Sequence, residues 1–216
     1  LVAVAVCSLL LLMALSALSR REDRRQRLVF TGLGVAVVGL VLVMLFSAFQ
    51  RILLYEAAYG FSRLRTYTHV FLIWLGLLLL GVIILEIIQR QKAFALAAVL
   101  AAAGFVASLG IMNVDGFIVS QNVQRTLDGE ELDIDYLESL SEDAVPTIAD
   151  EYRSAPDPSA LRSDLGMALS HFASSEQFNR ERSWRSFSIA HDRAVAALDE
   201  LEDDLGESPA AITCAP

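Results

Sequence analysis

Three histidines (His69, His171, His191), two cysteines (Cys7, Cys214) and 26 acidic residues are the material this chain offers for metal, nucleophilic or acid–base chemistry. Their spacing builds none of the usual arrangements. The histidines are too far apart for a paired-ligand motif, and the cysteines sit near opposite ends of the chain. Serines are plentiful, yet no Gly-x-Ser-x-Gly elbow presents one as a nucleophile. Carboxylate pairs such as Asp133/Asp135 and Asp203/Asp204 fall in runs of acids, where solvation accounts for them. The oxygen-rich "DGEELDID" (128–135) lacks the ligand order of a calcium loop, and no glycine loop is built to cradle phosphate. These patterns predict a protein that is not an enzyme and holds no cofactor or metal.

What converges instead is "LLYEAAYGFSRLRTYTHVFLIW" (53–74). Tyr55, Tyr59 and Tyr67 belong to a residue type that favours the headgroup zone of a bilayer. Glu56 and Arg63 are seven residues apart, which on a helix sets them on one face two turns apart. Gly60, between them, allows a bend. An acid and an arginine at that depth need a partner, whether each other, a neighbouring helix or a headgroup. The stretch is therefore expected to form an interfacial helix over 51–65, turning around Gly60, with Glu56 facing Arg63. Three roles stay open for it: an amphipathic helix with snorkelling arginines, a structural ion-pair and aromatic cap that locks the transmembrane bundle, or a patch that senses a ligand or signal. Glu86 and Arg90 form a second expected pair, in the favourable i, i+4 order at a membrane interface.

The elements that must position these residues are apolar. Of 216 residues, 55% are hydrophobic, and four runs (about 1–19, 28–49, 67–89 and 93–112) each approach the ~20 residues that cross a bilayer. Residues 1–112 carry ten basic and four acidic residues, a net of +6; residues 113–216 carry seven and 22, a net of −15. Such a split marks two environments, a basic-flanked transmembrane domain (1–112) and an acidic, water-exposed helical domain (113–216). The fold class is all-α, a polytopic membrane helical bundle with a helical C-terminal region. The acidic half excludes nucleic acid as a partner.

Glycines in the second run (Gly32, Gly34, Gly39) and alanines in the fourth suggest close helix packing. In the C-terminal half, "NVDGFIVSQNVQR" (113–125) reads as a helix just beyond the membrane. Ser141, Glu142 and Asp143 open another, and Asp157 with Pro158 a third. A last helix buries a seam of Trp184, Phe187, His191, Ala194, Leu198, Leu201 and Leu205, fitting a hairpin against 158–174.

Arginines 20, 21, 24, 25 and 27 follow the first run, and Arg90 and Lys92 follow the third; only Arg51, Arg63 and Arg65 lie between the second and third. The positive-inside bias then places the 20–27 and 90–92 loops in the cytoplasm and the C-terminal region outside. The near-absence of lysine beside frequent arginine fits a bacterial source and an inner-membrane location. The chain opens on Leu1 and is expected to be part of a longer protein.

The segment "YEAAYGFSRLRTYTHVFLIWLG" (55–76), the run "NVDGFIVSQNVQR" with "ELDIDYLESLSEDAVPTI" after it, and "WRSFSIAHDRA" (184–194) occur in that order. Together they resemble an uncharacterised family of bacterial multi-pass membrane proteins, domain of unknown function 4173, with 4153 as a relative. The resemblance implies further N-terminal spans and no enzymatic activity. It carries Tyr55, Glu56, Tyr59, Gly60, Arg63, Arg65, Asn113 and Trp184 over as a candidate structural or interaction site. The expected partners are the lipid bilayer and a protein partner or larger membrane complex. The expected role is a scaffold, accessory subunit or signal-transducing component, with a transporter or small-molecule site near 55–65 as the alternative.

Overall fold

The computed structural model describes residues 24–88, 90–175 and 188–201, all helices and turns with no strand among them. The first expected span (1–19) and Trp184 lie outside the described residues. Three helices are long and apolar enough to cross a membrane: α1 (Arg24–Tyr59), α2 (Arg63–Ile87) and α3 (Phe94–Ile111). The described chain divides into two compact units, residues 1–59 with 64–111, and residues 60–63 with 112–216.

In the first unit, α1 and α2 run antiparallel. Their contacts ascend one helix while descending the other: Thr31 with Glu86, Leu45 with Gly76, Glu56 with His69. Val38, Val41 and Leu45 of α1 pack with Leu72, Leu75 and Leu79 of α2, with Phe49 and Ile52 beside them. The outer faces stay apolar. Leu33, Leu40, Val43, Leu96 and Val99 are all exposed, apolar faces that fit lipid and would be a liability in water.

At 36 residues α1 is about 54 Å long, well beyond the ~30 Å of hydrocarbon. This overturns the separate interfacial helix over 51–65. Nothing between Phe49 and Tyr59 breaks the helix, and Ile52 continues the buried stripe, so the span runs on to Tyr59. The chain turns at Gly60–Ser62, and Arg63 begins the next helix.

Close approach in the first unit falls in the fourth run, whose small residues suggest it, and not at Gly32 or Gly39. A Cβ on Gly32 or Gly39 would meet nothing within 4 Å among the described residues. Gly104 of α3 instead lies under Trp74 of α2, whose ring a Cβ there would overlap at 2.1 Å. The Trp74 indole N–H donates to Ser108 Oγ at 3.0 Å, and the Phe71 and Phe105 rings meet edge to face with centroids 5.9 Å apart.

The second unit holds α4 (Val114–Leu127), α5 (Ile134–Glu138), a 3-10 turn (Glu142–Ala144), α6 (Val145–Ser154), α7 (Ala160–Ser174) and α8 (Ile189–Asp199). Ile118, Leu137, Ile148, Leu165 and Leu169 are its fully buried centre. Two expectations about its caps change. The Asp157–Pro158 peptide is cis and α7 starts later, capped by Ser159, whose Oγ accepts from the Arg162 amide at 3.1 Å. Asp133, in the oxygen-rich run, caps α5 by accepting from the Tyr136 amide at 2.9 Å. The α8 seam buries His191, Ala194 and Leu198, mainly on α6 and the 3-10 turn rather than on a hairpin with α7. Trp184, Phe187 and Leu205 of that seam lie outside the described residues.

Candidate functional site

Asp115 is the centre of a polar cluster in the second unit. It lies in the first turn of α4 and is 6% exposed. The Arg63 guanidinium grips it with two N–H groups, Nε on Oδ1 at 2.7 Å and Nη2 on Oδ2. The Ser141 amide donates to Oδ2 at 2.9 Å, and the Ser141 hydroxyl donates to the same oxygen. Four donors converge on one carboxylate, one at Oδ1 and three at Oδ2. Burial pushes the Asp115 carboxyl up, but the hydrogen bonds from Arg63 and Ser141 and the Arg63 charge outweigh it and hold the group below the ordinary carboxylate range. Ser141 was expected to cap a helix; its hydroxyl makes no cap hydrogen bond and goes to Asp115 instead.

The same cluster fixes residues 60–63. The Arg63 amide donates to the Tyr136 hydroxyl at 2.8 Å. Asn122 clamps Phe61 from both sides, its Oδ1 accepting from the Phe61 amide at 2.9 Å and its Nδ2 donating to the Phe61 carbonyl at 3.1 Å. The Phe61 ring meets Phe117 edge to face. Gly60 has φ +77°, and a Cβ there would sit 2.6 Å from Arg125 Nη1 and 3.0 Å from Asn122 Oδ1. Both the backbone region and the close approach require glycine. Gly129 also has positive φ (+103°), but a Cβ there would meet nothing within 4 Å. Gly60→Ala is expected to lower stability by about 1–3 kcal/mol, and Gly129→Ala by less, because only the first adds a collision to the strain. Thermal unfolding of the two variants tests this; equal losses would remove the close approach as a cause.

Asn113 caps α4. Its Oδ1 accepts from the Gly116 amide at 2.9 Å, and its Nδ2 donates to the Asp143 carbonyl at 2.7 Å. Its place among the candidate residues is therefore as a cap that also holds the 3-10 turn.

The expected Glu56–Arg63 pair is not formed, because each residue has a different partner. In the first unit Glu56, 2% exposed, faces His69 with Oε1 and Nδ1 3.1 Å apart. The His69 ring packs on Phe49 with centroids 4.7 Å apart. The turn at Gly60 ends the helix register that the Glu56–Arg63 spacing assumed. The Glu86–Arg90 pair fails for a similar reason. The helix ends at Ile87, Arg90 lies past the end with its amide on the Leu85 carbonyl at 3.0 Å, and Glu86 accepts from the Thr31 hydroxyl at 3.3 Å.

Tyr55, Tyr59 and Arg65 share one outer surface of the first unit. Arg65 donates to the Tyr59 carbonyl at 3.3 Å, and both tyrosine rings are exposed. Of the eight carried-over residues, Trp184 lies outside the described ones; the other seven divide among the cluster around Asp115 (Gly60, Arg63, Asn113), the buried Glu56–His69 pair and the outer surface (Tyr55, Tyr59, Arg65). The sequence reading missed Asp115, Ser141, Tyr136, Asn122 and His69 as their partners. Among the described residues, no group of three or more His, Cys, Asp or Glu is placed to hold a metal.

Three apolar helices and a helical domain built around residues 60–63 define an α-helical integral membrane protein. The chain belongs to the family described as a domain of unknown function, DUF4153, whose model matches residues 1–151. This is the family that the motifs gave as a relative of the 4173 family, and the matched stretch leaves Trp184 outside. No curated protein and no solved structure matches the chain.

Proposed function

We propose that the protein is a non-enzymatic scaffold, accessory subunit or signal-transducing component of a bacterial inner-membrane complex. In this reading the 20–27 and 90–92 loops are cytoplasmic and the helical C-terminal domain faces the other side. One observation carries it: the helical domain takes its central arginine, Arg63, from the segment that joins two apolar helices. Asp115, Tyr136 and Asn122 direct hydrogen bonds to that segment, and Ser141 donates to Asp115 behind them. Polar groups satisfied by one another stiffen a domain for docking and present no poised reactive group. A partner that seats on this domain thereby acts on residues continuous with α1 and α2.

The alternative, a transporter or small-molecule-binding protein with a site near 55–65, draws its support from the buried Glu56–His69 pair, since ionisable groups inside apolar helices often mark a pathway. Gentle extraction from native membranes separates the two. The scaffold reading expects a second protein in fixed stoichiometry through size exclusion, released by Asp115→Leu. A chain that elutes alone, and is stabilised by a small molecule only while Glu56 and His69 are intact, would overturn it.

A further inference from the structure

The outer surface of the first unit carries an alternating ladder of cations and rings. Arg51, Tyr55 and Tyr59 recur every four residues along the last turns of α1, so they stand one above the other. The Arg51 guanidinium carbon is 5.8 Å from the Tyr55 ring centroid, the Tyr55 and Tyr59 rings stack with centroids 6.0 Å apart, and the Arg65 guanidinium carbon is 6.0 Å from the Tyr59 centroid. Tyr59 is 71% exposed. Leu54 and Leu64, which flank the ladder in sequence, are exposed as well.

We propose that this ladder is a binding site for the headgroup of an anionic glycerophospholipid. Charge complementarity is the first argument. Glu56 is the sole acidic residue in 24–85, and it is buried against His69, so the charge that the ladder itself exposes is positive. A phosphodiester bearing one net negative charge matches it, whereas the ammonium of a zwitterionic headgroup would face two guanidiniums. Geometry is the second. Guanidinium forks match phosphate oxygens, and stacking on tyrosine holds each fork in place at little further entropic cost. Depth is the third. The ladder occupies the end of the apolar stretch Thr31–Tyr59, where tyrosine rings and arginine heads reach headgroup level while exposed leucines remain in the acyl region.

The test uses the full chain in mixed micelles of phosphatidylglycerol and phosphatidylcholine in equal amounts, with retained lipids counted by native mass spectrometry. Each arginine near an anionic surface contributes about a five-fold preference, so the two ladder arginines should raise the wild type's retention of phosphatidylglycerol over phosphatidylcholine by roughly thirty-fold. Arg51→Gln, at an exposed position, should lower the ratio about five-fold, and R51Q/R65Q roughly thirty-fold. R24Q/R25Q, in the other basic segment, is the control for general charge attraction, and adding R51Q/R65Q to it should lower the ratio by the same roughly thirty-fold. An unchanged ratio in R51Q, or a ratio lost in R24Q/R25Q but kept in R51Q/R65Q, would overturn the assignment.

Discussion

Asp115→Leu is expected to lower the stability of the folded chain by about 3–5 kcal/mol, the range for breaking a buried, hydrogen-bonded pair from one side. The substitution strands the Arg63 guanidinium and leaves the Ser141 amide and hydroxyl without their acceptor. Arg63 is 35% exposed at its side chain, so water recovers part of its loss, and the lower half of the range is the better expectation. Arg63→Leu should cost a comparable amount by removing two of the four donors to Asp115, which is far more buried. The double variant should lose clearly less than the sum of the two, because each single change already destroys the same interaction. Thermal unfolding of the four proteins in one detergent closes the cycle. Simple additivity would show that Arg63 and Asp115 act separately.

Acid gives a second handle on the same pair. In the folded chain Asp115 is held below its unfolded value, which is near 3.9. Its contribution is therefore complete above about pH 4 and is lost as pH falls through the lower folded value. Wild-type stability should drop more steeply than that of Asp115→Asn on acidification below about pH 4, with the two curves parallel at neutral pH.

The pattern of apolar runs in the sequence is enough to place α1, α2 and α3, because a lipid-facing helix must be apolar nearly all round and no soluble element competes for that signal. The helix after Asn113 is legible as one that resumes just beyond the membrane, but its Asn113 cap is not read in the sequence. Nor is the role of Asp115. An acid at a helix start is what the helix dipole favours, so nothing in "NVDGF" marks it as the acceptor for an arginine 52 residues earlier. Seven-residue spacing drew Arg63 towards Glu56, an inference valid only inside one unbroken helix. Gly60 was recognised as a bend, but its positive φ converts the bend into a turn, and past a turn helical spacing carries no information. Nothing in the sequence pairs His69 with Glu56, because the two are thirteen residues apart on neighbouring helices. Partner choice across a turn depends on tertiary geometry, which periodicity does not encode.

His69→Leu should be the most damaging change in the first unit. Glu56 is 2% exposed, and His69 Nδ1, at 3.1 Å, is the polar group set against its Oε1. Removing the ring leaves a carboxyl group in apolar surroundings and opens a gap beside Phe49. A buried group deprived of its partner costs about 3–5 kcal/mol, and the lost ring packing adds to that. Arg65 moderates the loss, since its charge also reaches Glu56. Glu56→Leu in the same background should restore much of the stability, because replacing both polar partners by apolar groups is close to neutral where replacing one is not. Fluorescence-detected thermal unfolding of His69→Leu, Glu56→Leu and the double variant measures this directly. A double variant less stable than His69→Leu alone would mean that Glu56 has a further attachment stronger than the histidine, and the pair would lose its standing as a unit.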